Sequence, residues 1–254
     1  MNYLKLRNWV DKEKLCWETL SSNPNAINLL EKNKDKINWR TLSSNLNALE
    51  LIEANLDKIN MHLLMENHNA IKIIEENFDK KKIDWVRLSL NPNAIHILEA
   101  NIEKVNWGYL AINSKALKLL ESNPEKIHWG YLVSNSSSSA IKLLEANVDK
   151  IDWSLLSFNA TAIKLLEANQ DKINWHHLSL NHNAIKLLEA NYDKINWSCL
   201  SKNPNAIYLL EKNLDKIDWR TLSCNPNAVH LLEQNQDKIN WYWISGNPSI
   251  FEYD

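Results

Sequence analysis

The side chains best equipped to grip another molecule stand at regular intervals. Arg87, Tyr109 and Tyr131 are 22 residues apart, and Phe158 and His177 follow in later turns of the same pattern. Arg and aromatic side chains are the usual anchors of protein interfaces, so these five form a candidate partner-binding stripe. A second series, Lys72, His96, Lys118, Lys142, Lys164 and Lys186, is a basic ridge that could meet a nucleic-acid backbone. Its step, about 10 Å if each repeat adds one helix layer, matches neither phosphate spacing of DNA. Each Lys also has Glu three residues later on the same face, which should offset it.

Catalytic chemistry finds little footing. His176, His177 and His182 lack the H-E-x-x-H spacing of a metalloprotease, and no metal or other cofactor is expected. No Ser/His/Asp or Cys/His set stands out from the background. With 3 Gly in 254 residues, Gly-rich phosphate cradles are nearly excluded. The 3 Cys make no metal or disulfide framework. A net charge of -2 argues against a general polyanion binder. The expectation is a protein that is not an enzyme and has no small-molecule substrate.

The interval itself is the main feature. Trp17, 39, 85, 107, 129, 153, 175, 197, 219 and 241 recur every 22 residues, with Met61 in one Trp position. Two steps stretch to 24 residues, one at Lys80-Lys81-Lys82 and one at Ser136–Ser139. A fixed period of 20–50 residues signals a solenoid or array. The repeat reads W-x-x-L-S-x-N-P-N-A-I-x-L-L-E-x-N-x-D-K-I-N. Its Asn positions account for much of the 37 Asn in the chain. The leucine-rich and ankyrin patterns do not fit it.

In the repeat from Trp219 to Asn240, Asp218 is a good N-cap for a short helix of about two turns. Ile217 and Leu222 have the spacing of a hydrophobic staple, and Pro226 ends the helix. A longer helix of about ten residues should follow, capped by Asn225 with Pro226 at its first position, or by Asn227. Asn235 suits a left-handed residue after its C-terminus. Neither helix is long enough to stand alone in water, so units must stack through nearest-neighbour contacts. The expected fold is all-α: a right-handed α-solenoid of ten to eleven two-helix 22-residue repeats. One domain spans 1–254, with an N-terminal cap at 1–16, ten repeats at 17–240, and a truncated repeat with a C-terminal cap at 241–254. An uncurved rod would be on the order of 100 Å long.

The stretches DKINWxxLSxNPNAIxLLEAN, LRNWVDKEKLCW and SGNPSIFEYD resemble a family of tandem 22-residue repeat proteins of large DNA viruses of protists. That family is functionally uncharacterised and carries no active-site residues to transfer. The resemblance implies an α-solenoid and a viral protein acting inside a host cell, with a host or viral partner. The sequence start also lacks the apolar stretch of a secretory signal, and no apolar run approaches the roughly 18 residues that span a bilayer. An intracellular protein without a membrane partner is therefore expected, in the host cytoplasm if it is viral.

Invariant columns carry no information about a partner. The two Asn series, Asn23 to Asn247 and Asn33 to Asn235, read as caps and inter-repeat ladders. The Trp column reads as core. The Glu31 and Lys36 columns read as ion pairs or a solvated face. Recognition must lie in variable columns, which include Gly108-Tyr109, Gly130-Tyr131 and Ser154-Leu155. The expected function is a non-enzymatic scaffold binding a protein partner along the stripe. Single-stranded nucleic-acid binding along the Lys ridge is the alternative.

Overall fold

The computed structural model describes residues 4–77 and 83–253. The chain is an all-α repeat solenoid. Among the described residues the only strands are β1 (Leu4–Leu6) and β2 (Phe251–Tyr253). The residues fall into two compact units. One comprises 1–79 with 207–254, the other 80–206.

Each repeat opens on a short helix, such as Trp219–Leu222 or Trp175–Leu180. The residue before Trp caps it as expected: Asp218 Oδ1 accepts the Thr221 N–H, and Asn174 Oδ1 accepts that of His177. Leu222, Leu178 and their equivalents are fully buried. The second helix is shorter than the pattern suggested. Ile185–Glu189 has five residues, and a separate 3-10 turn, Tyr192–Lys194, follows it. Two features divide the expected ten-residue helix. The Asn-x-Asn segment folds as an Asx turn, with Asn181 Oδ1 accepting the Asn183 N–H at 3.1 Å. The helix proper begins only after Ala184. At the far end the Asn is not left-handed: Asn235 has φ −132°, and among the described residues none has positive φ. Its side chain instead donates to the carbonyl four residues back, Asn235 Nδ2 to Leu231 O at 2.9 Å. That bond satisfies a helix-end carbonyl without a left-handed residue.

The first Asn series joins one repeat to the next. In the second unit, Asn181 Nδ2 donates to Ser157 O at 3.1 Å and Asn159 O at 3.0 Å, and Asn203 repeats this on Ser179 and Asn181. These amides are buried, where an unmatched carbonyl would be costly. Serine adds a rung: Ser179 Oγ donates to Trp175 O and accepts the Asn196 N–H.

In the first unit the two ends of the chain meet. β1 and β2 pair antiparallel, with Leu4 opposite Tyr253 and Leu6 opposite Phe251. Arg7 donates from Nε to Ser249 O at 2.8 Å and pairs with Glu252 at 3.0 Å. The ladder continues across this junction: Asn23 Nδ2 donates to Ser245 O and Asn247 O, both at 3.2 Å. The Cys16 N–H donates to Ser245 Oγ at 2.8 Å, as the Asn196 N–H does to Ser179 Oγ.

Within the expected caps at 1–16 and 241–254, the described residues 4–16 and 241–253 pair with each other rather than standing apart. They build one discontinuous repeat. Trp241–Ser245 supplies its short helix, the strand pair stands in place of the second helix, and the 3-10 turn Lys12–Lys14 supplies its tail. Lys12-Glu13-Lys14-Leu15 occupies the register of Lys34-Asp35-Lys36-Ile37, and Leu15 is buried as Ile37 is.

Candidate functional site

The invariant columns are occupied with structure. Trp side chains are half-buried rather than fully in the core, and Lys ammonium groups cover many of their rings. Lys36 lies 5.0 Å from the Trp17 ring centre, Lys58 4.8 Å from Trp39 and Lys172 4.6 Å from Trp153. Lys36 and Lys58 are therefore cation–π partners of Trp rather than members of Glu–Lys pairs. Lys14 does the same for Trp241 across the chain junction, at 5.1 Å.

The five stripe residues lie in the second unit, four on short helices of successive repeats and Phe158 in the turn that follows Trp153–Leu156. Their surroundings differ. Arg87 is half-buried and faces Asp84, Nε to Oδ2 at 3.6 Å. Tyr109 is half-buried and stacks on Tyr131, with ring centres 5.9 Å apart and planes 26° apart. Tyr131 remains 41% exposed and Phe158 56% exposed. His177 is half-buried and donates from Nδ1 to Ser154 O in the preceding repeat, at 2.7 Å. Arg87, Tyr109 and His177 are thus partly drawn into packing, while Tyr131 and Phe158 present open surface.

Leu155, the counterpart of Tyr131 one repeat on, is 42% exposed. It lies in the helix Trp153–Leu156, and Phe158 follows in the turn just past that helix. Leu155 and Val86, also exposed, belong to the surface although neither carries an interface-type side chain. Their only sequence signal is an apolar residue in a variable column.

His128 is another departure from the repeat. It stands at the N-cap position, yet its side chain makes no cap bond to Trp129–Leu132. Its ring lies against Tyr131 instead, centres 4.5 Å apart. Gly108 explains how Tyr131 reaches Tyr109. A Cβ at Gly108 would come within 3.1 Å of Tyr131 Cδ2 and Cε2, so the ring lies across the space that a side chain would fill.

In the basic series, Lys72 pairs with Glu76 at 3.7 Å in the first unit. His96, Lys118, Lys142, Lys164 and Lys186 lie exposed on second-unit helices. Among the described residues, no carboxylate reaches salt-bridge distance of those four Lys. The expected offset by the Glu three residues on is absent as a contact, and Lys72 uses a Glu four residues on. The Ser136–Ser139 insertion extends a helix rather than a loop. Ser138–Glu145 runs eight residues, capped by Ser137 Oγ accepting the Ala140 N–H. The Lys80–Lys82 insertion lies outside the described residues.

Cys199 Sγ lies 3.4 Å from His176 Nε2. Burial pushes the Cys199 thiol above its ordinary value, and Lys202 only partly opposes this, so the pair does not make a ready thiolate. Among the described residues no group of three or more His, Cys, Asp or Glu is placed to hold a metal ion. No described helix is long and apolar enough to cross a membrane. No protein-family model, characterised protein or solved structure matches the chain.

Proposed function

We propose that the protein is a non-enzymatic repeat scaffold that binds a protein partner along the variable face of its short helices. One observation carries the reading. Tyr131, Leu155 and Phe158 leave apolar surface open on adjacent repeats of one unit, at positions where the repeat has no fixed residue. Repeated Asn, Ser and Lys side chains such as Asn181, Ser179 and Lys172 are meanwhile occupied by contacts inside the array. Clustered exposed aromatics are the chemistry of an interface anchor. The partner is a host or viral protein inside an infected protist cell, a setting that follows from the repeat's resemblance alone.

A second reading rests on the open ammonium groups of Lys118, Lys142, Lys164 and Lys186. Single-stranded nucleic acid would track them, with affinity falling steeply as salt rises. Capture from a lysate of the cells that make the chain, with and without nuclease, separates the two. The scaffold expects a bound protein that survives nuclease and the Lys118→Glu, Lys142→Glu, Lys164→Glu, Lys186→Glu variant, and is lost on Tyr131→Ala with Phe158→Ala. Loss with nuclease or with the charge change would favour the nucleic-acid reading.

A further inference from the structure

Two successive repeats carry the same Trp-Gly-Tyr-Leu run, at Trp107–Leu110 and Trp129–Leu132. In the first, the space over glycine is filled. The Tyr131 ring lies on Gly108 and stacks on Tyr109, with ring centres 5.9 Å apart. In the second, the space is open. A Cβ at Gly130 would meet only the His128 ring, at 3.6 Å, and no other atom within 4 Å. The next repeat offers Leu155 where the pattern would place a third ring. Tyr131, already 41% exposed, therefore keeps a stacking surface without a stacking partner beyond it, with the His128 ring alongside at 4.5 Å.

From this we infer that the space over Gly130 is a slot for one aromatic side chain of a partner polypeptide, stacked on Tyr131 and edged by His128. The inference rests on the proposed scaffold reading and names the anchor of that same face. The array itself indicates the occupant. A slot of the same Trp-Gly-Tyr composition one repeat earlier takes a phenol ring, presented from a helix of polypeptide. His128 supports the assignment independently, since it makes no cap bond of the kind Asn106 and Asn174 make at this position and lines the slot instead. The slot's walls, Gly130, Tyr131 and His128, include no Lys or Arg to pair with a phosphate, which favours an amino-acid ring over a nucleotide.

Gly130→Ala is the discriminating variant. Its methyl would sit at ordinary contact distance from His128, and Gly130 does not need positive φ, so the fold is kept while the slot is filled. The experiment titrates the full chain with N-acetyl-tyrosinamide, N-acetyl-leucinamide and adenosine monophosphate, following backbone and ring resonances by NMR. N-acetyl-tyrosinamide should shift the resonances of Gly130, Tyr131 and His128 at millimolar concentration. Its affinity should fall at least fivefold in Gly130→Ala, and the leucine probe should bind at least fivefold more weakly. If Gly130→Ala melts below the wild type, Tyr131→Leu serves as the second variant, with the same loss expected. Three results would overturn the slot: no shift at those residues, an unchanged affinity in the variants, or tighter binding of adenosine monophosphate. A blank titration beside a partner still captured through Tyr131 and Phe158 would discard the slot and leave the scaffold reading standing.

Discussion

At the scale of single residues, the same amide does different work in different columns. Asn181 is buried, donates twice across a repeat boundary and accepts the Asn183 N–H. Asn183 is exposed and makes one side-chain bond, to Ala160 O at 2.9 Å. Removing Asn181 would leave Ser157 O and the Asn183 N–H without their partner, while Asn159 O keeps the Ala162 N–H. Each such group costs about 1–3 kcal/mol. Asn181→Ala should therefore lose about 2 kcal/mol in urea unfolding, and Asn183→Ala less than about 1 kcal/mol. Equal losses would contradict the distinction.

Cys199 gives a pH-dependent test at the same scale. Its folded thiol is raised by burial, with Lys202 opposing, so the unfolded thiol ionises first as pH rises. The stability it contributes is full below the ordinary thiol range and is lost as pH rises through the raised folded value. Iodoacetamide at pH 8 should label Cys199 more slowly in the folded chain than in urea. Faster labelling of the folded chain would show an activated thiolate instead.

At the scale of elements, the short helices were legible because their signals are local. Asp or Asn before Trp is a cap, and it is found as one at Asp218 and Asn174. The second helix is not legible in the same way, because its apolar spacing continues from Ile185 through Ile195 while the backbone breaks into a five-residue helix and a 3-10 turn. Periodicity reports which residues face inward, and the inward face is kept through the break. Asn235 needs no left-handed conformation for a related reason: its side-chain bond to the i−4 carbonyl satisfies the same helix end. Insertions follow local rules too. Ser137 caps the lengthened helix Ser138–Glu145, so Ser137→Ala should cost about 1 kcal/mol, measured as a lowered urea midpoint. No change would mean the extra turn is held by packing alone.

At the scale of the whole molecule, what the sequence hid was the meeting of its ends. Residues 12–16 repeat the tail motif, and 241–250 its head, but a linear reading treats these as two remnants at opposite ends of the sequence. Pairing them needs long-range contacts that no local pattern encodes: Leu4 with Tyr253, Arg7 with Glu252, Lys14 over Trp241. A chain lacking residues 1–16 should therefore lose more than a loose terminus. Amides in Trp17–Ser21 and Trp241–Ser245 should exchange at least tenfold faster, and residues 1–16 added as a separate peptide should restore their protection. Unchanged exchange in both helices would contradict the shared repeat. The candidate site was legible in part. Tyr131 and Phe158 stood out as aromatics in variable columns, and both are exposed. The packing of Arg87, Tyr109 and His177 against their neighbours could not be read, because it depends on what the adjacent repeat places opposite.

The division between invariant columns that hold the array and variable ones that recognise a partner is open to photo-crosslinking in the cells that make the protein. Benzoylphenylalanine would replace Phe158 in one chain and Leu214, equally exposed at 53% but in a 3-10 tail of the other unit, in a second. A discrete protein adduct, resistant to nuclease, should form from position 158 and not from 214. Adducts of equal yield from both positions, or an adduct at 158 that nuclease removes, would contradict a protein-binding face on the short helices.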